Sequence, residues 1–314
     1  MNIVFMGTPN FSVRILERLH KEYGVDLVVT QPDKLVGRKK VLTLSPVKEK
    51  AVELGIKVFQ PLSIRKEYQT ILDIKPDIII TAAYGQIIPN EVLDFPRLGS
   101  INVHGSLLPL LRGGAPIQRA IQRLHNRTGI TIMYMAEKMD SGDIISQKSI
   151  PILKTDNSGM IFEKLSELGE DLLIETLPRI IAGTNDRSKQ DEHLVTYGFN
   201  LKREEEILDF NQSVEEIDAH LRAFSPGPYV YTTIDERQIK IYSLKIEDKE
   251  LNDANKNMVN GTITEVFKDH FNIKASNGVI GIYEVQLSGK KRQLVKDFIN
   301  GTGRNIIQVN KVFK

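Results

Sequence analysis

Asn102 and His104 stand two residues apart at the end of the apolar run Ser100-Ile101-Asn102-Val103-His104. In a β-strand that spacing puts both side chains on one face. An amide N–H donor beside an imidazole can hold an oxygen that becomes negative during acyl transfer. The alternative is a purely structural Asn and His at a strand end. Gly105 is expected to let the backbone turn sharply after the strand. Ser106, Leu107, Leu108 and Pro109 are then expected to form a fixed irregular segment with free backbone donors and acceptors. A third chemical group comes from the loop string Met139-Asp140-Ser141-Gly142-Asp143. A carboxylate there can reach into a cleft. Beside a histidine it would hold the ring in one tautomer and stabilise its protonated form, or take a proton from an attacking amine, directly or through water. An ordinary Asp-Ser-Gly-Asp turn is the other reading of that string. The remaining histidines, at 20, 125, 193, 220 and 270, have no comparable neighbourhood and read as surface or packing residues.

Two stretches concentrate positive charge. Residues 31–50 carry Lys34, Arg38, Lys39, Lys40, Lys48 and Lys50 against Asp33 and Glu49. About 15 of these residues show no clear structure, which is long for a strand-to-helix loop and suggests function. The C-terminal stretch carries Lys290, Lys291, Arg292, Lys296, Arg304, Lys311 and Lys314 against Asp297 alone. Both suit a polyanion, and a fold that placed them on one face would make a phosphate-binding track. A solvated charged loop is the competing reading of the first stretch. Gly7-Thr8-Pro9 follows the first strand but is not G-x-G-x-x-G, so a bound dinucleotide is not expected.

The elements that must position these groups follow from periodicity. Short apolar runs at 3–6, 25–30, 57–60, 78–82 and 100–103 alternate with amphipathic helical stretches at 11–20, 47–54 and 68–74. That alternation predicts βαβ units and a Rossmann-like α/β parallel sheet with its functional loops at the strands' carboxyl ends. Two more strands are expected at 130–135 and 144–150, then a helix over 158–181. Ser213 and Glu216 form a capping-box pair at the start of a helix that Pro226-Gly227-Pro228 stops. From Tyr229 the pattern is β, with Asn277-Gly278 as a hairpin signal, which predicts a small barrel, OB-like. The expected division is a catalytic domain over 1–189, a polar linker over 190–206 and a β-barrel domain over 207–314.

Composition narrows the classes. The chain has 314 residues, 41% of them hydrophobic and 26% charged, enough for two cores and too apolar for wholesale disorder. It has no cysteine, which excludes thiolate catalysis, disulfides and cysteine-based metal sites. The net charge of +2 says little about nucleic acid, because the distribution matters more than the total. No signal sequence and no apolar span of membrane length are evident, so a cytoplasmic location without membrane attachment is expected.

Taken together, the strings FMGTPNFSV, TQPDKLVGRKK with LSPVK, AYGQIIP, INVHGSLLPLLRGGAPIQRAI, TGITIMYM, MDSGDII, RAFSPGP and LSGKKR give the chain a full-length resemblance to the folate-dependent formyltransferases. The Asn-x-His-x-Ser-Leu-Leu-Pro string and the later Asp are specific to the reaction type. The GTPxF start, the QPD…GR…SPVK loop and the basic C-terminal domain make the chain similar to the members that act on methionyl-tRNA.

The resemblance implies that Asn102, His104 and Asp140 are the catalytic set. It implies that Ser106, Leu107, Leu108 and Pro109 contact 10-formyltetrahydrofolate as co-substrate, and that Arg38 engages the acceptor end of initiator methionyl-tRNA. Lys39, Lys40, Lys290, Lys291 and Arg292 are the other expected tRNA contacts. Neither a metal nor an obligate protein partner is expected. Several positions depart from the family pattern: Gly105 in place of Ala, Lys39 in place of Gly, Asn200 in place of Lys, and Phe210 and Gly227 in place of Trp. The alternatives are a formyltransferase or hydrolase with a small acceptor, and a non-catalytic RNA-binding protein. A small acceptor has no need of the basic loop and barrel. A non-catalytic protein has no need of the three polar residues together.

Overall fold

Strands whose every side chain is buried need cover on both faces, and Ile3–Gly7 and Ile78–Ala82 are buried at all five positions. The computed structural model, which describes residues 1–37 and 40–314, places them at the centre of a seven-stranded sheet. In chain order the strands are β1 Ile3–Gly7, β2 Leu27–Val29, β3 Lys34–Val36, β4 Val41–Thr43, β5 Val58–Phe59, β6 Ile78–Ala82, β7 Ser100–His104, β8 Arg127–Tyr134 and β9 Ile144–Pro151. The sheet order is β5-β2-β1-β6-β7-β8-β9. It is parallel from β5 to β7 and antiparallel from β7 to β9. The chain winds to one side of β1 through β2 and returns on the other through β6. The crevice that such a reversal opens lies at the strands' carboxyl ends, where β7 delivers Asn102 and His104.

Alternate residues of β1, β2 and β6 (Val4, Met6, Leu27, Val29 and Ile79) enter one core with Ile64, Ile71 and Val92. The helix Phe11–Tyr23 buries Ile15, Leu16 and Leu19, spaced as one helical face. The expected helix over 158–181 is present as Ser158–Ile181.

One expectation is corrected in this region. The stretch 31–45 is not structureless, because Lys34–Val36 and Val41–Thr43 pair antiparallel as a hairpin. All six residues are exposed, so no apolar alternation betrayed them.

By contact the chain forms two compact units. One holds residues 1–117, 127–152 and 160–200, and the other holds 118–126, 153–159 and 201–314. In the second unit, Ser213 and Glu216 bond reciprocally at the start of the helix Val214–Ala223. The strands β10 Val230–Ile234, β11 Arg237–Asp248, β12 Ile263–Val266, β13 Phe271–Lys274, β14 Val279–Leu287 and β15 Gln293–Leu294 follow. The main sheet runs β10-β11-β14-β13-β12 and is antiparallel, with β15 on β14.

The chain end closes this sheet. Ile263 of β12 bonds to Lys311 and Asn310, and Thr233 of β10 exchanges two backbone bonds with Lys314. Phe210 is buried against Phe313 of that end, with ring centroids 6.0 Å apart. The β13–β14 turn is centred one residue earlier than expected. Ala275 N–H bonds to the Gly278 carbonyl, leaving Ser276 and Asn277 as the central pair. Asn277 is used there to accept from the Val214 N–H at 2.9 Å.

Candidate active site

Thr81, the lone polar residue at the end of the apolar strand β6, is buried beside Asn102. Its hydroxyl donates to Asn102 Oδ1 at 2.8 Å. A carbonyl oxygen so engaged fixes the amide's rotation and turns its NH2 the other way. Asn102 itself is half-buried.

His104 is almost wholly buried, and its Nε2 lies 3.2 Å from the Leu111 carbonyl oxygen. A carbonyl only accepts, so Nε2 carries a hydrogen and the ring's second nitrogen is left to face Asp140. That nitrogen, Nδ1, is 3.8 Å from Asp140 Oδ2. Asp140 Oδ2 also accepts from the Gly113 N–H at 2.8 Å.

Asp140 has φ +53°, a left-handed conformation that aspartate tolerates better than most residues. Two residues on, Gly142 is forced by space, because a Cβ there would overlap the Tyr134 carbonyl oxygen. The geometry therefore brings Asp140 to His104 across 36 residues of chain, and Thr81 sets the aim of Asn102.

The segment Ser106–Pro109 is fixed but, contrary to expectation, its polar groups are largely occupied. Ser106 Oγ donates to the Leu110 carbonyl at 2.6 Å, and the Ser106 carbonyl accepts from Thr131 Oγ1 at 2.6 Å. Leu108 N–H bonds to the same threonine oxygen at 3.1 Å, and the Leu108 carbonyl accepts from Gln147 at 2.8 Å. Leu108 is buried, while Leu107 and the cis-linked Pro109 remain partly exposed. The segment thus offers apolar surface more than backbone bonds. The chain does bend at Gly105 and Ser106, as expected, but the bend does not require glycine, because the Gly105 φ lies outside the left-handed range and a Cβ would meet Ile117 at an ordinary 3.5 Å.

Of the expected tRNA contacts, Arg38 and Lys39 lie outside the described residues. Lys40 is exposed beside them, at φ +48°. In the same stretch Lys48 pairs with Asp33 at 2.6 Å and Lys50 with Glu53 at 2.8 Å, so part of its charge is internally balanced. In the barrel unit Lys290 and Lys291 are exposed. Arg292 makes a two-pronged bond to Glu284, at 2.7 and 2.6 Å, and lies over the Tyr242 ring. Much of its charge is therefore committed within the domain.

Sequence reasoning missed the residues that hold the reactive ones. Thr81 had a readable signal, a single hydroxyl ending an apolar strand. Thr131, Gln147, Arg112 and Gln190 had none. The first half of the segment expected to be a linker, 190–200, is bonded into the catalytic unit: Arg112 N–H to Thr196 O at 2.9 Å, Gly198 N–H to Arg112 O at 2.7 Å and Ala115 N–H to Gly198 O at 2.8 Å. Among the described residues no group of three or more His, Asp or Glu is placed to hold a metal, and no helix is long and apolar enough to cross a membrane.

Comparison with known proteins places this geometry. Residues 1–177 match the model of the formyl transferase family, and residues 200–303 match that of the formyl transferase C-terminal domain. The chain is 48% identical over 317 residues to a methionyl-tRNA formyltransferase of Lysinibacillus sphaericus, covering 100% of this chain and 99% of that one. It is 48% identical over 307 residues to one of Bacillus mycoides, covering 96% of each. Among solved structures, an N-formyltransferase of Helicobacter canadensis in complex with folinic acid and dTDP-3-aminofucose aligns with a TM-score of 0.65. It is 21% identical and covers 93% of this chain and 99% of that one. HypX of Aquifex aeolicus in complex with tetrahydrofolic acid aligns with a TM-score of 0.63 at 14% identity, over 99% of this chain and 50% of that one. At these identities the likeness is one of fold.

Proposed function

From a chain that belongs to the formyl transferase family, we propose an enzyme that moves the formyl group of 10-formyltetrahydrofolate onto the α-amino group of methionyl-initiator tRNA. The full-length relatives carry that name. The observation in this molecule that carries the reading is Asn102, His104 and Asp140 at one strand-end crevice, with the amide aimed by Thr81.

The reaction uses no covalent attachment to the enzyme. An α-amino group has a pKa of about 8, so an appreciable part of a free aminoacyl amine is neutral near pH 7. Its nitrogen attacks the formyl carbon and a new C–N bond forms. The carbonyl π pair moves onto oxygen, where the Asn102 N–H donates to it and protonated His104, its two ring nitrogens directed at Leu111 and Asp140, adds its positive charge. Collapse breaks the bond between the formyl carbon and folate N10, and N10 takes up a proton. Asp140 orients His104 and receives the proton that the attacking amine loses, by way of water. The partly exposed Leu107 and Pro109 suit the flat ring faces of the co-substrate, since the polar groups around them are already bonded internally.

The acceptor end of the tRNA is held by Arg38 with Lys39 and Lys40, and its phosphates by Lys290, Lys291 and Arg292. Residues 1–189 carry the transfer chemistry together with the acceptor-end contacts, and 207–314 the phosphate contacts. The test is a transfer assay with 10-formyltetrahydrofolate, offering charged initiator tRNA, charged elongator tRNA and free methionine. Preferential formylation of the initiator is expected. Equal use of free methionine contradicts the reading.

A further inference from the structure

The strap 190–200 touches the supports of two of the three catalytic side chains, Asp140 and His104. Gln190 donates its two amide hydrogens to the carbonyl oxygens of Asp140 and Gly142, each at 2.8 Å. Its own Oε1 accepts from Arg112 Nε at 3.0 Å. Arg112 is buried, 3% exposed, and its guanidinium is also clasped by Glu192 at 2.8 Å. The next residue along, Gly113, supplies the N–H that holds Asp140 Oδ2. Asp140 is therefore gripped at both ends by consecutive residues, its carboxylate by Gly113 and its backbone, through Gln190, by Arg112. The same strap reaches His104. Thr196 Oγ1 accepts from the Leu111 N–H at 2.9 Å, and the Leu111 carbonyl meets His104 Nε2.

The geometry points to Gln190 as a positioning residue for Asp140, anchored on the buried Arg112, so that a segment outside the strand-end motifs sets the reach of the carboxylate to His104. The inference rests on the transfer reaction proposed above. Asp140 stands in an uncommon left-handed conformation on a partly exposed loop, which needs support from outside the loop. Gln190 supplies that support with both of its amide hydrogens, while its oxygen is held by Arg112.

Gln190→Glu tests this with little change in volume. The glutamate keeps an acceptor toward Arg112 but turns an oxygen toward two carbonyl oxygens. A reacting group displaced by about 1 Å costs on the order of 100-fold in rate. Turnover of Gln190→Glu should therefore fall by about 10- to 100-fold, with KM for folate and tRNA nearly unchanged. A residue that acts only through Asp140 adds nothing once Asp140 is disabled. In an Asp140→Asn background, the further loss from Gln190→Glu should thus be less than about 3-fold. Gln190→Ala, which removes groups without adding charge, should show the same pattern and serves if the glutamate variant does not fold. Turnover within 2-fold of the wild type, or losses that multiply in the double variant, would overturn the assignment. Amide hydrogen exchange over residues 138–143 supplies a readout independent of the reaction: exchange should quicken in both Gln190 variants, and unchanged protection would count against the inference. A wild-type chain that transfers no formyl group would sink the proposed reaction while leaving the exchange result to decide on Gln190.

Discussion

Replacing Thr81 by valine removes one hydroxyl and keeps the shape of the side chain. The Asn102 oxygen then loses the donor at 2.8 Å that fixes which way its amide points. A single hydrogen bond of this kind is worth about 0.5–1.5 kcal/mol net. Without it the two amide orientations become closer in energy, and only the one presenting N–H to the crevice stabilises the oxyanion. Since about 1.4 kcal/mol is tenfold in rate, turnover should fall roughly 2- to 10-fold. The effect should lie in kcat, because the hydroxyl is buried and reaches Asn102 rather than the substrates. Single-turnover formyl transfer under saturating 10-formyltetrahydrofolate and charged initiator tRNA reads it directly. An unchanged rate would show that the amide is aimed by something else. A loss as large as that from deleting the Asn102 side chain would show that Thr81 acts on the reacting atoms itself.

Gly105→Ala should be tolerated, since the added Cβ meets Ile117 at 3.5 Å. A thermal melt should show a gain of about 0.4–1 kcal/mol from the stiffer unfolded chain, with turnover retained. A destabilised variant would contradict that space. Burial lowers the pKa of His220, which lies against the Glu205 carbonyl and the Gln122 amide. The unfolded chain then binds that proton at higher pH than the folded one, so the associated stability is full above about pH 6.5 and falls as the pH drops below it. Melting temperatures from pH 8 to 5 should fall for the wild type and less steeply for His220→Gln, and parallel curves would refute the assignment. Arg38→Ala should weaken use of tRNA while folate binding is unchanged, and should reduce the salt dependence of tRNA affinity. Equal loss toward both substrates would count against a tRNA role.

The strands of the first unit's parallel sheet were legible because strands buried on both faces are continuous apolar runs, and β1 and β6 are such runs. The Asn-x-His pair was legible because a strand's period of two is rigid enough to put both residues on one face. Asp140 was legible only as a loop carboxylate. Its arrival at His104 depends on the Gly113 N–H and on Gln190, both distant in sequence and in segments without periodicity. The strap 190–200 read as a linker for the same reason: it is held by backbone bonds and by isolated polar side chains such as Gln190 and Thr196, and neither leaves a periodic pattern of residue types. The pairing of Lys34–Val36 with Val41–Thr43 was missed because pairing needs only backbone groups and the side chains of both strands are exposed. The turn between β13 and β14 shifted by one residue because Asn277 is engaged by the Val214 N–H.

The rate of the chemical step in Asn102→Ala and His104→Ala addresses the oxyanion site itself. Single-turnover transfer in each should be slower by about 100- to 1,000-fold than in the wild type, the cost of losing one group that stabilises the oxyanion, while both substrates still bind. Transfer at the wild-type rate in either variant would contradict the site.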